Sequence, residues 1–194
     1  MHSQAAKYVF ALAVLALGTA HAQTVPQPAP PATAAAPASA TAQPNSVSTA
    51  PDCSNIKPSA ASHQVKYVNP ESMFETQSYS MATVIPATAK LVYISGQIPV
   101  NIQYSITGTD LISQVKAAMD NLCRVMQAGG ISKQDIIKLG ITYVNKDASD
   151  PFQIAEQMSA FFGRDQMPAT TMVGVDFLIT DKIRFQVEAT AVID

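Results

Sequence analysis

IRFQVEATAV, residues 183–192, decides the fold. In an extended chain Ile183, Phe185, Val187, Ala189 and Ala191 point one way, while Arg184, Gln186, Glu188 and Thr190 point the other. Such a strand needs an apolar layer on one side only. The rest of the chain must supply that layer.

Upstream, PATTMVGV (168–175) reads as a short strand with two hydroxyls, Thr170 and Thr171, at its mouth. DIIKLGITYV (135–144) alternates, with Ile137, Leu139, Ile141 and Tyr143 on one side and Lys138, Gly140 and Thr142 on the other. KLVYISGQIPV (90–100) is apolar on both faces, as a central strand would be. QVKYV and SYSMATVI supply candidate edge strands.

Two helices lie between these strands. From Asp110 to Gln127, Leu111, Val115, Met119, Leu122 and Met126 recur every three or four residues. Thr109 or Asp110 can cap the start, and Gly129-Gly130 supplies a left-handed stop. Cys123, beside the stripe, is expected to be partly exposed. PFQIAEQMSAFF opens with Pro151, suited to a first helical turn, and places Phe152, Ala155, Met158 and Phe162 on one side. The order predicts an α+β two-layer sandwich, a mixed β-sheet with both helices on one face. The opposite face is expected to carry Thr170, Met172, Arg184, Gln186 and Glu188, either wet or closed off by neighbouring subunits.

The N-terminus pairs Lys7 with an apolar run from Tyr8 to Leu17 and an Ala20-His21-Ala22 site, the order of a secretory signal peptide. Residues 1–22 are therefore read as a signal peptide cleaved after Ala22, and the protein as secreted or periplasmic. Residues 23–63 form a Pro/Ala/Thr-rich leader; its first part, 23–51, has seven prolines and no charge, so it cannot bury enough apolar surface to order itself. The folded domain is placed at 64–194. Removing Lys7 from the 12 basic residues leaves 11 against 14 acidic, a net charge of −3 without blocks. No basic stripe marks a nucleic-acid partner, and no membrane partner is expected after cleavage. Cys53 and Cys123 can form one intramolecular disulfide in an oxidising compartment, or remain two thiols.

His63 is the one histidine left after cleavage. No hydrolase triad and no metal site can be assembled from such a chain, and no cofactor is indicated.

SGQIPV (95–100), QVKAAMDNLCRVMQAGG, DIIKLGITYV, AFF, PAT and VEATAV, in that order, resemble the Rid family, the YjgF/YER057c/UK114 proteins, over about residues 67–193. The resemblance implies a chorismate-mutase-like fold and a homotrimer with small-molecule pockets between subunits. Its deaminating members hydrolyse enamines and imines to 2-keto acids and ammonia. They use an arginine in a P-A-R stretch to hold the substrate carboxylate and a last-strand glutamate to place water. Tyr79 and Ser95-Gly96-Gln97 match the family's pocket. Thr170 stands in the arginine's place, Met172 replaces a small residue or cysteine two positions on, and Gln186 aligns with the glutamate. Glu188, two residues further, is the remaining candidate for catalysis. The resemblance thus implies a binder of a small metabolite with weak or absent 2-imino acid deaminase activity. The alternatives are an imine hydrolase of altered specificity or a non-catalytic partner-binding protein.

Overall fold

The computed structural model describes residues 50–74, 78–163 and 167–194. The expected signal peptide and the leader as far as residue 49 lie outside them. Two short strands, β1 (Lys66–Val68) and β2 (Ala82–Val84), pair antiparallel with each other. The main sheet contains β3 (Lys90–Gln97), β4 (Ile136–Val144), β5 (Ala169–Val175) and β6 (Phe185–Ile193), in the order β3-β6-β4-β5. β4 and β5 run parallel; the other pairs are antiparallel. Helices α1 (Leu111–Gly129) and α2 (Asp150–Phe162) complete the two-layer α+β architecture.

The apolar stripe of α1 supplies the core as its spacing dictates. Val115, Leu122 and Met126 are wholly buried, in one cluster with Leu139, Ile141, Phe185, Val187 and Ala191. Each buried Val, Leu, Ile, Met or Phe side chain among them contributes roughly 1.5 to 3 kcal/mol. Asp110 is the cap: its carboxylate accepts from the Ser113 amide, and the Ser113 hydroxyl accepts from the Asp110 amide. Gly130 ends the helix at φ 64°, where a β-carbon would be strained. In α2 the buried residues include Ile154 and Met158, whereas Phe152 is 76% exposed. The helix turns Phe152 outward, contrary to the expected stripe.

Three further expectations are corrected. β3 is an edge strand, not a central one; its apolar outer residues Leu91 and Tyr93 are exposed. β1 and β2 do not extend the main sheet. Thr170 and Met172 pair in register with Leu139 and Ile141, so they face the helix layer; Thr171 and Val173 share the open face instead. Alternation alone could not fix this phase, because β5 is partly exposed on both sides.

Two bulges shape the sheet. Between Ile94 and Gln97, β3 advances three residues while β6 advances from Ala189 to Val187. Between Ile136 and Lys138, β4 advances two while β6 advances one. The second bulge leaves Ile136 in the main core and turns Ile137 into a second cluster with Ala61 and Val192.

Residues 53–65 pack on both clusters, Cys53 and Ile56 on the main core and Ala61 and Val65 on the second, so the folded unit begins before the boundary expected at 64. Ser59 and Ser132 each direct an amide and a hydroxyl onto the Asp135 carboxylate at 2.7 to 2.8 Å. The Asp194 carboxylate accepts from the amides of Ala60 and Ala61. Cys53 and Cys123 are joined in a disulfide with their Cα atoms 5.8 Å apart. Cys123 is therefore buried. Burial alone would raise the Asp135 pKa, but the hydrogen bonds from Ser59 and Ser132 outweigh it and hold the carboxyl below its ordinary value.

Opening the disulfide by Cys53→Ser should cost about 4 kcal/mol in urea denaturation, the chain-entropy value for a separation of 70 residues. Asp135→Asn should cost about 3 kcal/mol at neutral pH. Because the folded pKa is depressed, this stabilisation is present above the carboxylate's ordinary value of about 3.9 and is lost as pH falls through the folded pKa. The gap between Asp135→Asn and the parent protein should accordingly narrow in acid.

Candidate functional site

The open face of the sheet holds a shallow depression of about 280 Å³, lined by Tyr93, Ser95, Lys138, Gly140, Glu188 and Thr190 among others. Glycines make it possible. Gly140 faces Glu188 across the β4–β6 ladder, and a β-carbon on Gly140 would stand 2.6 Å from Glu188 Oε1 and 2.7 Å from its Cγ. Gln186 lies over Gly96 in the same way, with Cδ 2.6 Å from such a carbon. Each long side chain is thus laid flat along the sheet by a neighbour without a side chain. Lys138, brought to this face beside the bulge in β4, donates from Nζ to Thr171 Oγ1 at 3.3 Å.

The residues expected to form a site fall into two groups. Ser95, Gly96 and Gln97 lie on β3, with Gln186 and Glu188 on the adjoining β6. Thr170 and Met172 lie on β5 at the opposite edge, three strand spacings or roughly 14 Å away. Tyr79 belongs with the second group. Its neighbour Ser80 bridges Ala169 and donates from its amide to Pro168 O at 3.2 Å and from its hydroxyl to Met167 O at 2.7 Å. One chain therefore does not bring all the expected residues into one pocket.

The chemistry at each place is specific. Thr170 donates its only hydroxyl proton to Pro168 O at 3.1 Å, a neutral local bond with no capacity to hold an anion. Arg184 is anchored elsewhere, its Nη2 at 2.9 Å from Asp150 Oδ2 and 3.4 Å from Val144 O. It cannot reach toward Thr170 without abandoning a nearly buried carboxylate. Gln97 bonds back to Ser95 O. Reasoning from sequence passed over Tyr93, Lys138 and Thr190 as site residues. The alternation of 135–144 had already put Lys138 and Gly140 on one side, but nothing in the sequence showed that a depression lay there.

The model of the family described as Endoribonuclease L-PSP matches residues 69–193. Among individual proteins, the chain is 32% identical over 104 residues to the 2-iminobutanoate/2-iminopropanoate deaminase of Escherichia coli K12, covering 53% of this chain and 79% of that one. It is 29% identical over 114 residues to a RutC family protein of Pyrococcus abyssi, covering 58% and 84%. Among solved structures, it is similar to a Rid-family protein of unknown function, YyfB, from Yersinia pestis. There the TM-score is 0.62 and the identity 26%, over 66% of this chain and 97% of that one.

Gly140→Ala should leave the sheet intact but force the whole Glu188 side chain, from Cγ outward, to rotate away, and should change stability by about 1 kcal/mol. A crystal structure of this variant should show the Glu188 carboxylate lifted away from residue 140.

Proposed function

Because the chain belongs to the Endoribonuclease L-PSP family, the Rid/YjgF proteins, we propose that it is an exported homotrimer binding a small metabolite in pockets between subunits, with weak or absent 2-imino acid deaminase activity. The carrying observation is Thr170, at the place where deaminating relatives hold the substrate carboxylate by arginine, with its one hydroxyl engaged by Pro168 O. A guanidinium offers two charge-assisted bonds in a planar fork; a threonine offers one neutral bond and no charge.

Two features favour the assembly. The expected site residues divide between the β3 and β5 edges. Ring-closing contacts that set the β5 edge of one subunit beside the β3 edge of the next would unite Tyr79 and Thr170 with Ser95, Gly96, Gln97 and Gln186. Leu91, Tyr93 and Val173 also expose apolar surface on the open face or its rim, which suits a covered surface better than a wet one. Export rests on the charge, apolar run and Ala-His-Ala order of residues 1–22.

The purified protein, supplied with freshly generated 2-aminoacrylate, should release pyruvate about a hundredfold to ten-thousandfold more slowly than an arginine-bearing relative, the factor expected for two lost charge-assisted bonds. A rate equal to that relative's would overturn the reading.

A further inference from the structure

From the segment 53–65, an N-terminal strap over the domain, we infer that Cys53 and Cys123 act as a one-way latch. A disulfide-bearing oxidant closes the latch when the strap docks, and the docked strap then shields the bond from thiols. The inference does not depend on the seam pocket. Three observations converge on it.

The first is that the strap is an addition to the domain. It precedes the matched family region, residues 69–193, and touches both layers. Gln127 of α1 donates to Asp52 O, Ser59 donates to the Asp135 carboxylate and to Val192 O, and the Asp194 carboxylate accepts from Ala60 and Ala61. The domain keeps partners of its own when the strap leaves. Asp135 retains the amide and hydroxyl of Ser132, and Ile85 and Ala89 stay against Ile137 and Val192. The strap can therefore open locally while α1 and the main sheet remain folded.

The second is how little else holds it. Apart from Cys53, the strap buries Ala61 and Ser62, both small, against the entropy of ordering its whole length. In an otherwise folded domain the disulfide closes the stretch between Cys53 and β1, about a dozen residues, and chain entropy makes that worth roughly a hundredfold in the ratio of docked to open strap. The third is shielding. Cys53 is 5% exposed and Cys123 1%, so an attacking thiolate reaches neither sulfur while the strap is docked. With the strap open, the Cys53 thiolate attacks the oxidant's disulfide, forming a mixed disulfide and releasing one of the oxidant's sulfurs as a thiol. Docking brings the Cys53 and Cys123 Cα atoms to 5.8 Å, and the Cys123 thiolate displaces the oxidant's second sulfur. Two electrons pass to the oxidant, and the protons of the two cysteine thiols end on its two sulfurs.

Hydrogen exchange read by mass spectrometry, on the full chain reduced and then reoxidised with oxidised glutathione, tests the latch. Reoxidation should slow exchange across 54–65 by about a hundredfold and leave α1, β4 and β6 as protected as before. Cys53→Ser should expose 54–65 to the same degree as reduction does. In native buffer, reduced glutathione should open the bond at least about tenfold more slowly than in urea, where both sulfurs are bared. Ser59→Ala removes a hydroxyl that holds the strap and touches neither cysteine; it should speed that native reduction by about tenfold, the effect of losing one charge-assisted bond. The inference is overturned if the reduced protein protects 54–65 as well as the oxidised one, or if native and unfolded protein are reduced at the same rate. It is overturned equally if reduction or Cys53→Ser unfolds the whole domain, since the strap is then no separate unit.

Discussion

The sheet depends on one constraint: β6 lies between β3 and β4 and must bury every second side chain against α1. Phe185, Val187, Ala189 and Ala191 fill that requirement. Once they are committed, the period of two leaves Gln186, Glu188 and Thr190 no choice but the opposite face. The polar face of the sheet is therefore a geometric by-product of core packing. Shifting β6 by one residue would bury Glu188 under the helices, at a desolvation cost the core could not offset. The same constraint explains the glycines. Two long polar side chains on adjacent positions of one face need flat neighbours if they are to lie along the sheet, and Gly96 and Gly140 supply them.

The covering of the open face is uneven. At one end Ala61, Val65, Ile85 and Ala89 pack with Ile137 and Val192, and the segment that brings Ala61 there is tied down through the disulfide and the Asp135 carboxylate. Asp135 also acts at a distance: burial first, and then its negative charge, raise the pKa of Tyr67 in β1. The other end, with Tyr93, Lys138 and Glu188, lacks this cover. The face is thus apolar and closed at one end, charged and uncovered at the other.

Much of this was legible in the sequence, and the reasons differ by element. α1 could be read because capping residue, stripe and terminal glycine agree with one another across its whole length. The polar face of β6 could be read because its alternation runs unbroken over nine residues. β5 could not be phased: Thr170, Thr171 and Met172 suit either face of an edge strand, and pairing with Leu139 and Ile141 decides the matter. β3 looked central because Leu91 and Tyr93 are apolar, yet they are exposed. The segment 53–63 was indistinguishable from a leader because it holds on through backbone amides and small hydroxyls, which carry no periodic signal, to partners 70 or more residues away. Lys138 was correctly faced, but its relation to Glu188 depends on a bulge, and bulges have no reliable mark in a single sequence.

The cations complete the argument. A carboxylate-binding site needs a positive group whose charge is not already neutralised. Arg184 fails that condition, because Asp150 is nearly buried and would be left as an unpaired charge if the guanidinium moved. Thr170 fails it by chemistry. Lys138 meets it: its partner is a neutral hydroxyl at 3.3 Å, an interaction readily exchanged for a charged one. Lys138 therefore places a positive group on β4, an inner strand of the main sheet, rather than on the β5 edge that carries Thr170.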